Sequence, residues 1–397
     1  MPNPSSLINT YPPRILSDII KEKQPDSLYV YIDLKNVLRS LFVEDVVREI
    51  VLNSQTMNNI DSSIFQAIIY TSSYWKNFAK QIGLSAKIFI CSDIGKSCYH
   101  RSIYNKYKYR RDIMNTSAMI GEKIKKIRDK NFILAEHICN RLPDVYFFCL
   151  KYLESDFLPY YLITRKFIDK NVFHVICSND KDLYQTLIND NVIQLYRMNK
   201  TNNILNKESV LQTYLKVNKS ATKKKAEKLE KISKMDLTHL AAMMSFIGDD
   251  VDDVPGIDGI GPVSIINLFS QEKMVKNLLG TKEELEDRIS RGGNVFIEDN
   301  VGLNQMSDLW RKVFIKNDLV TRAYKLISFE SLCRWLENKS STEKMGYIKY
   351  VDKLLNKEDI QIIPTTKSFM TSLQVIEDLY LTEDTIGNLF WRRLYEK

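Results

Sequence analysis

"LYVYID", residues 28–33, sets five apolar or aromatic residues in a row and closes them with an aspartate. A run this short, rich in Val, Ile and Tyr, reads as a strand buried on both faces. Three more runs share the form: "KIFICSD" at 87–93, "VYFFCL" at 145–150 and "VFHVICS" at 172–178. Between them lie stretches long enough for helices, notably 61–82, 119–141 and 154–170. Repetition of strand, helix and strand implies a mainly parallel sheet with helices on both faces and right-handed crossovers.

Each run ends in, or is soon followed by, carboxylates: Asp33, Asp93, Glu154 with Asp156, and Asp180 with Asp182. Ligands of open parallel sheets bind beyond the carboxyl ends of the strands, so these six groups are expected to converge there. A single aspartate after a strand is more often a turn former or a helix N-cap. A cluster is different. Two carboxylates about 4 Å apart repel by roughly 4 kcal/mol at an effective dielectric of 20, so the group is costly unless cations sit among it. Oxygen donors without His or Cys favour Mg²⁺ or Mn²⁺ over zinc. The four histidines, His100, His137, His174 and His239, are scattered and form no ligand set.

A second concentration of charge, "GDDVDDVPGIDGIG" at 248–261, holds five carboxylates, four glycines and Pro255. Gly256, Gly259 and Gly261 are expected to permit positive φ and to leave backbone amides bare for a phosphate, unless the segment is merely a surface turn. Residues 99–111 interleave five Lys and Arg with four Tyr. That pattern suits either a solvated basic face or a surface that neutralises phosphates and stacks unpaired bases.

Bulk composition sets the limits. The 397 residues, 44% hydrophobic and 27% charged, can bury one large core or two ordinary ones. A net charge of +8 leans toward an anionic partner such as nucleic acid. The six cysteines form no CxxC pair, which argues against a zinc knuckle or a disulfide framework and for reduced core residues. The N-terminal residues lack an apolar core of signal-peptide length, and nothing approaches the roughly 18 apolar residues of a membrane span. The expectation is a soluble, cytoplasmic protein with no membrane partner, in the host cytoplasm if the source is viral.

"YIDLKN" (31–36), "SDIGKSCYHRSIYNKYKYRR" (92–111), "YLESDF" (152–157), "CSNDKDLYQ" (177–185) and the 248–261 segment follow one another as in the 5′ nuclease, or flap endonuclease, family. The resemblance covers about residues 28–330, and the nearest likeness is to bacteriophage 5′-to-3′ exonucleases and the 5′ nuclease domain of bacterial DNA polymerases. It implies a PIN-like α/β fold with a helix-three-turn-helix region that holds duplex DNA. It also implies cleavage of phosphodiesters dependent on two Mg²⁺ ions, with Mn²⁺ as a substitute, on DNA with 5′ ends, flaps or RNA primers. By position, the metal ligands would be Asp33, Asp93, Glu154, Asp156, Asp180, Asp182, Asp249 and Asp252. Lys108 would stabilise charge on the scissile phosphate, with Arg111 contacting phosphate. Arg101, Tyr104, Lys106 and Tyr107, in a helical gateway near 95–130, and Gly256, Gly259 and Gly261 would contact DNA.

The chain departs from the pattern at Lys35, His100, Phe157 and Asn179, where many members carry Gly, Arg, Asp and Gly, and at Asp253, where Asn is usual. The expected division is an N-terminal extension (1–26), the nuclease core (27–217), a Lys-rich insertion (218–235), the duplex-binding helical region (236–330) and a C-terminal part without assigned role (331–397). No polymerase region follows, so a stand-alone monomer is expected, with replication proteins as candidate partners. A PIN-type endoribonuclease and a non-catalytic binder of branched DNA are the competing readings.

Overall fold

The computed structural model describes residues 15–34, 71–94, 96–110, 142–154, 156–168, 170–198, 201–217, 222–297, 306–338 and 342–357, with a few single positions between them. Among these residues, six strands form one sheet in the order β3-β2-β1-β4-β5-β6. The strands are β1 (Ser27–Asp33), β2 (Ser85–Ile94), β3 (Val145–Lys151), β4 (Val172–Cys177), β5 (Val192–Met198) and β6 (Thr201–Leu205). The first five run parallel, and β6 returns antiparallel to β5.

β1 shows why "LYVYID" specifies a central strand. Leu28, Val30 and Ile32 enter one core with Leu16 and Ile20 of α1 (Leu16–Glu22) and Trp75 and Ala79 of α2 (71–81). Tyr29 and Tyr31 enter the other core, with Phe89 of β2 and the helices of the second half of the chain. Side chains alternate across a strand, so a continuous apolar run requires cover on both faces. Helices do lie on both faces, as expected.

The sequence reading gave four strands, and β5 and β6 were missed. "VIQLYRM" carries Gln194 and Arg197 within its apolar run, and "TNNIL" holds two asparagines, which are weak strand formers. Pairing overrides that weakness: Tyr196 faces Asn203 and Leu195 faces Ile204 across the hairpin. The stretch 201–217 therefore holds a strand, then α5 (Val210–Tyr214).

The chain leaves β1 for β2 and β3 on one side, then crosses to β4 on the other, so the direction of winding reverses between β1 and β4. Crevices at such reversals are where open sheets bind ligands. Asp33 closes β1, and Asp180 and Asp182 follow β4.

Helices complete the molecule. α3 spans Cys98–Ile103, and α4 spans Leu158–Tyr161 before running into a π turn over Leu162–Lys166. Within the Lys-rich stretch 218–235, α6 spans Thr222–Ile232. α7 (Leu240–Ile247), preceded by a 3₁₀ turn at Leu237–His239, is buried nearly throughout. α8 (Pro262–Phe269), α9 (Glu272–Leu279), α10 (Lys282–Ser290), α11 (Asp308–Phe314), α12 (Asn317–Ile327), α13 (Phe329–Glu337) and α14 (Thr342–Asn356) follow. Aromatics of this half are core residues: Trp310 meets Phe246, Phe269 and Phe296. Among the described residues no cysteine is paired, and no helix is long and apolar enough to cross a membrane. His100, His174 and His239 are buried. His137, most of residues 95–130, where a helical gateway is expected, and residues 358–397 lie outside the described residues.

Candidate active site

The reversal between β1 and β4 is organised by one serine and one glutamine. Ser178 Oγ donates to Asp33 Oδ2 at 2.9 Å and accepts from the Asp180 amide at 3.0 Å. Gln194, fully buried in β5, donates its Nε2 to the carbonyls of Ser178 and Asp180 at 2.9 and 2.8 Å. Asp180 Oδ1 in turn accepts from the Asp182 amide at 2.9 Å, which starts the 3₁₀ helix Asp182–Ile188. The loop after β4 thus aims two carboxylates into the crevice from a pinned backbone.

The acidic loop enters from α7. Gly248 ends that helix at φ +77°, and Asp249 and Val254 exchange two amide-to-carbonyl bonds of 2.8 Å, so the carboxylates ride on a tight hairpin. A Cβ at Gly256 would lie 1.9 Å from the carbonyl oxygen of Ile247, and one at Gly248 would lie 2.3 Å from the Gly256 amide. Two backbones touch where only glycine fits. Asp182, Asp249 and Asp252 then offer carboxylate oxygens within 4.8 Å of one another.

Charge crowds this point. Burial, and then the carboxylates of Asp180, Asp249 and Asp252, push the Asp182 carboxyl well above the usual range. Burial likewise raises Asp180. Asp182 Oδ1 is buried without a hydrogen-bond partner. Burial chiefly, with Asp33 and Asp156, also drives up the Cys91 thiol, which puts those two carboxylates in the same field. A buried, repelling, oxygen-only donor set with an unsatisfied oxygen suits a hard divalent cation.

Residues 108–110, beyond α3, supply counter-charge. Lys108 Nζ lies 2.6 Å from Glu154 Oε1 and 3.2 Å from Asp252 Oδ2. Burial would lower its pKa, but Glu154, Asp252 and Asp156 raise it instead, so the ammonium stays charged. Lys108 is left-handed, φ +55°, and its amide donates to the Asp252 carbonyl at 2.9 Å. Lys181 Nζ meets Asp249 Oδ2 at 3.1 Å. The Arg110 guanidinium pairs with Asp253, whose Oδ2 also accepts from the Arg110 amide at 2.9 Å.

Of the expected ligands, Asp33, Glu154, Asp156, Asp180, Asp182, Asp249 and Asp252 gather at this end of the sheet. Asp93 stands at the carboxyl end of β2, opposite Leu150, but its side chain lies outside the described residues, as does Arg111. Tyr104 and Lys106 share a cleft of about 300 Å³ with Asp250 and Asp253, and the Arg322 guanidinium lies 5.8 Å from the Tyr104 ring centre. Arg101 is half-buried on α3.

Two expectations need correction. Tyr107 is buried, stacked on His100 with ring centres 4.6 Å apart, and its hydroxyl donates to Glu154 Oε2 at 3.0 Å. Its ring face is closed to a base, and the tyrosine orients a carboxylate instead. Of the three glycines after Pro255, only Gly259 has positive φ, +72°. Gly256 serves the close approach to Ile247, and Gly261, at φ −131°, caps α8 in an extended conformation that any residue adopts.

Sequence reading passed over Ser178, Gln194 and Lys181. Ser178 and Lys181 flank Asp180 within the quoted "CSNDKDLYQ" and could have been found there. Gln194 gives no local signal. Phe157 packs into the core beside Tyr161, so it offers the crevice no oxygen.

No family model and no curated protein sequence matches the chain. Solved structures do. A bacteriophage T5 protein co-crystallised with metal ions is 15% identical, with a TM-score of 0.53 over 84% of this chain and 100% of that one. A bacteriophage T5 flap endonuclease, in a pseudo-enzyme–product complex with DNA and metal ions, is 15% identical, with a TM-score of 0.52 over 83% and 98%. The T5 5′-exonuclease with bound zinc ions gives 15%, 0.52, 83% and 98% in the same order. The likeness at this identity is one of architecture: the chain has the α/β fold, with its mostly parallel sheet, of the T5 5′-exonuclease and flap endonuclease structures.

Proposed function

We propose that the chain is a metal-dependent, structure-specific 5′-to-3′ exonuclease and flap endonuclease, hydrolysing phosphodiesters of DNA with 5′ ends, flaps or RNA primers during replication or repair. The observation that carries this reading is the meeting of Asp182, Asp249 and Asp252 within 4.8 Å, with Asp182 Oδ1 unsatisfied. A protein that only bound DNA would gain nothing from a repelling carboxylate cluster facing a polyanion.

Asp180, Asp182, Glu154 and Asp156 are the candidates for the tighter cation site, with Asp33, Asp93, Asp249 and Asp252 completing the set. Two Mg²⁺ ions, or Mn²⁺ in their place, would supply an activated water and neutralise the leaving 3′ oxygen. The chain's own groups do the rest. Lys108, held between Glu154 and Asp252, keeps an ammonium at the rim of the crevice for the scissile phosphate, and Arg111 follows it in sequence. Tyr107 fixes the face that Glu154 presents. Gly259 and its neighbours offer backbone amides to duplex phosphates, while Arg101, Tyr104 and Lys106 serve the unpaired strand. On this reading residues 27–217 form the nuclease core and 236–330 hold the duplex.

The test is cleavage of labelled flap, nicked-duplex and RNA-primed substrates with and without Mg²⁺. Asp180→Asn should abolish cleavage and leave branched-DNA binding within a few fold, since phosphate contacts elsewhere supply most affinity. An active Asn variant would sink the assignment.

A further inference from the structure

α6 is an exposed helix with a peculiar charge. Its eleven residues, TKKKAEKLEKI, hold five lysines against two glutamates. Lysines at 224 and 228, four apart on one helix face, repel, while Glu227 stands four residues from both Lys223 and Lys231 and Glu230 pairs with Lys234 at 3.0 Å. The three lysines in excess leave the helix a positive surface that suits an anionic partner. It is also anchored: Ile232 is buried, Leu229 packs on the core, and Lys231 Nζ donates to Asn267 Oδ1 at 2.7 Å. Asn267 belongs to α8, the helix that begins just after the Gly259 loop.

α8 packs against α11 as well as α6. From α11, the exposed Lys312 reaches the loop itself, its Nζ only 3.2 Å from where a Cβ at Gly259 would sit. Cations from two elements outside the glycine segment therefore neighbour the same helix and loop.

We propose that Lys223, Lys224 and Lys231 of α6, together with Lys312 of α11, extend the phosphate-binding surface of the Gly259 loop along duplex DNA. This rests on the nuclease reading for the identity of the partner. Lys223 and Lys231 stand eight residues apart, about 12 Å along the helix, which is the rise of about three to four base pairs and the most that α6 can add to the footprint.

The experiment is a binding titration on labelled flap substrates whose duplex arm is lengthened one base pair at a time, across a salt series. Wild type should gain affinity over a window of up to about four base pairs that the Lys223→Gln, Lys224→Gln, Lys231→Gln triple variant does not gain. The salt slope of the triple variant should fall by up to about 2.7, or 0.9 per lost contact, and that of Lys312→Gln by about 0.9. Gln keeps the helix propensity of Lys, so far-UV circular dichroism of the triple variant should match that of wild type. Equal affinity of wild type and triple variant at every arm length overturns the proposal, and cleavage by wild type would leave the nuclease reading standing. An equal loss on single-stranded DNA overturns it too, because the lysines would then be a general attractant. If the variant loses duplex affinity but wild type never cleaves, the surface stands and the nuclease reading falls.

Discussion

Gln194 reaches from β5 to the main-chain carbonyl of Asp180, 2.8 Å away, and so ties a strand that carries none of the clustered carboxylates to the loop that carries two. Its second bond, to Ser178, fixes the residue that also holds Asp33. Replacing Gln194 by Met keeps the length and apolar stem but removes the amide that donates to both carbonyls. We expect a stability loss of about 1–3 kcal/mol and a lower single-turnover rate with nearly unchanged substrate affinity. Thermal unfolding with single-turnover kinetics checks both; an unaltered rate would show that the loop needs no tether.

Lys108 presents a competition. In the free protein its ammonium neutralises Glu154 and Asp252, both expected cation ligands. Lys108→Met should therefore tighten Mg²⁺ binding to the DNA-free protein, read by calorimetry, while slowing single-turnover cleavage by roughly 100-fold. Weaker Mg²⁺ binding in the variant would mean that the lysine organises the carboxylates more than it competes for them.

Much of this site was legible because its chemistry repeats. Carboxylates after successive buried runs are visible to the eye, and a parallel sheet brings strand ends together whatever their separation in sequence. What stayed hidden depended on pairing or packing. β6 is a strand because β5 lies beside it, not because "TNNIL" favours extension. Tyr107 looked like its neighbours Tyr104 and Tyr109, yet only Tyr107 turns inward, since His100 offers it a stacking partner and Glu154 an acceptor. The pairing of Asp253 with Arg110 likewise joins residues 143 positions apart.

The glycines of the acidic loop should fail in different ways. Gly256→Ala places a methyl group 1.9 Å from the Ile247 carbonyl, backbone against backbone, and should cost about 3 kcal/mol, the upper end of ordinary overpacking. Metal binding and DNA binding should fall together. Gly261→Ala meets nothing within 4 Å and has an extended backbone, so stability should hold. Any loss should appear as weaker affinity for duplex-containing substrates, with none on a single strand. Urea unfolding and parallel titrations separate the two, and a Gly261→Ala variant that unfolds early would refute the geometry described here.

Acid should loosen the fold through two histidines. His174, buried in β4 with Nδ1 3.0 Å from the Tyr31 hydroxyl, has its pKa lowered by burial from 6.5 to about 3. His100 falls to about 4, burial again being the main cause. In the unfolded chain both take up protons near 6.5, whereas in the folded protein neither does until the lower value. Their contribution to stability is therefore complete above pH 6.5 and is lost progressively as pH falls toward 4. Each removes up to about 1.4 kcal/mol per pH unit in that window. Asp180 and Asp182 work the other way in the metal-free protein: their folded pKa values are raised, so protonation favours the folded state as pH drops. The wild-type curve mixes the two signs, and a variant resolves them. His174→Gln has no imidazole to titrate at that position and leaves both aspartates in place. Urea unfolding from pH 7.5 to 4.5 should show the stability difference between wild type and variant shrinking as pH falls, by up to about 1.4 kcal/mol per unit. Curves that stay parallel over the whole range would mean that His174 becomes protonated within the folded core.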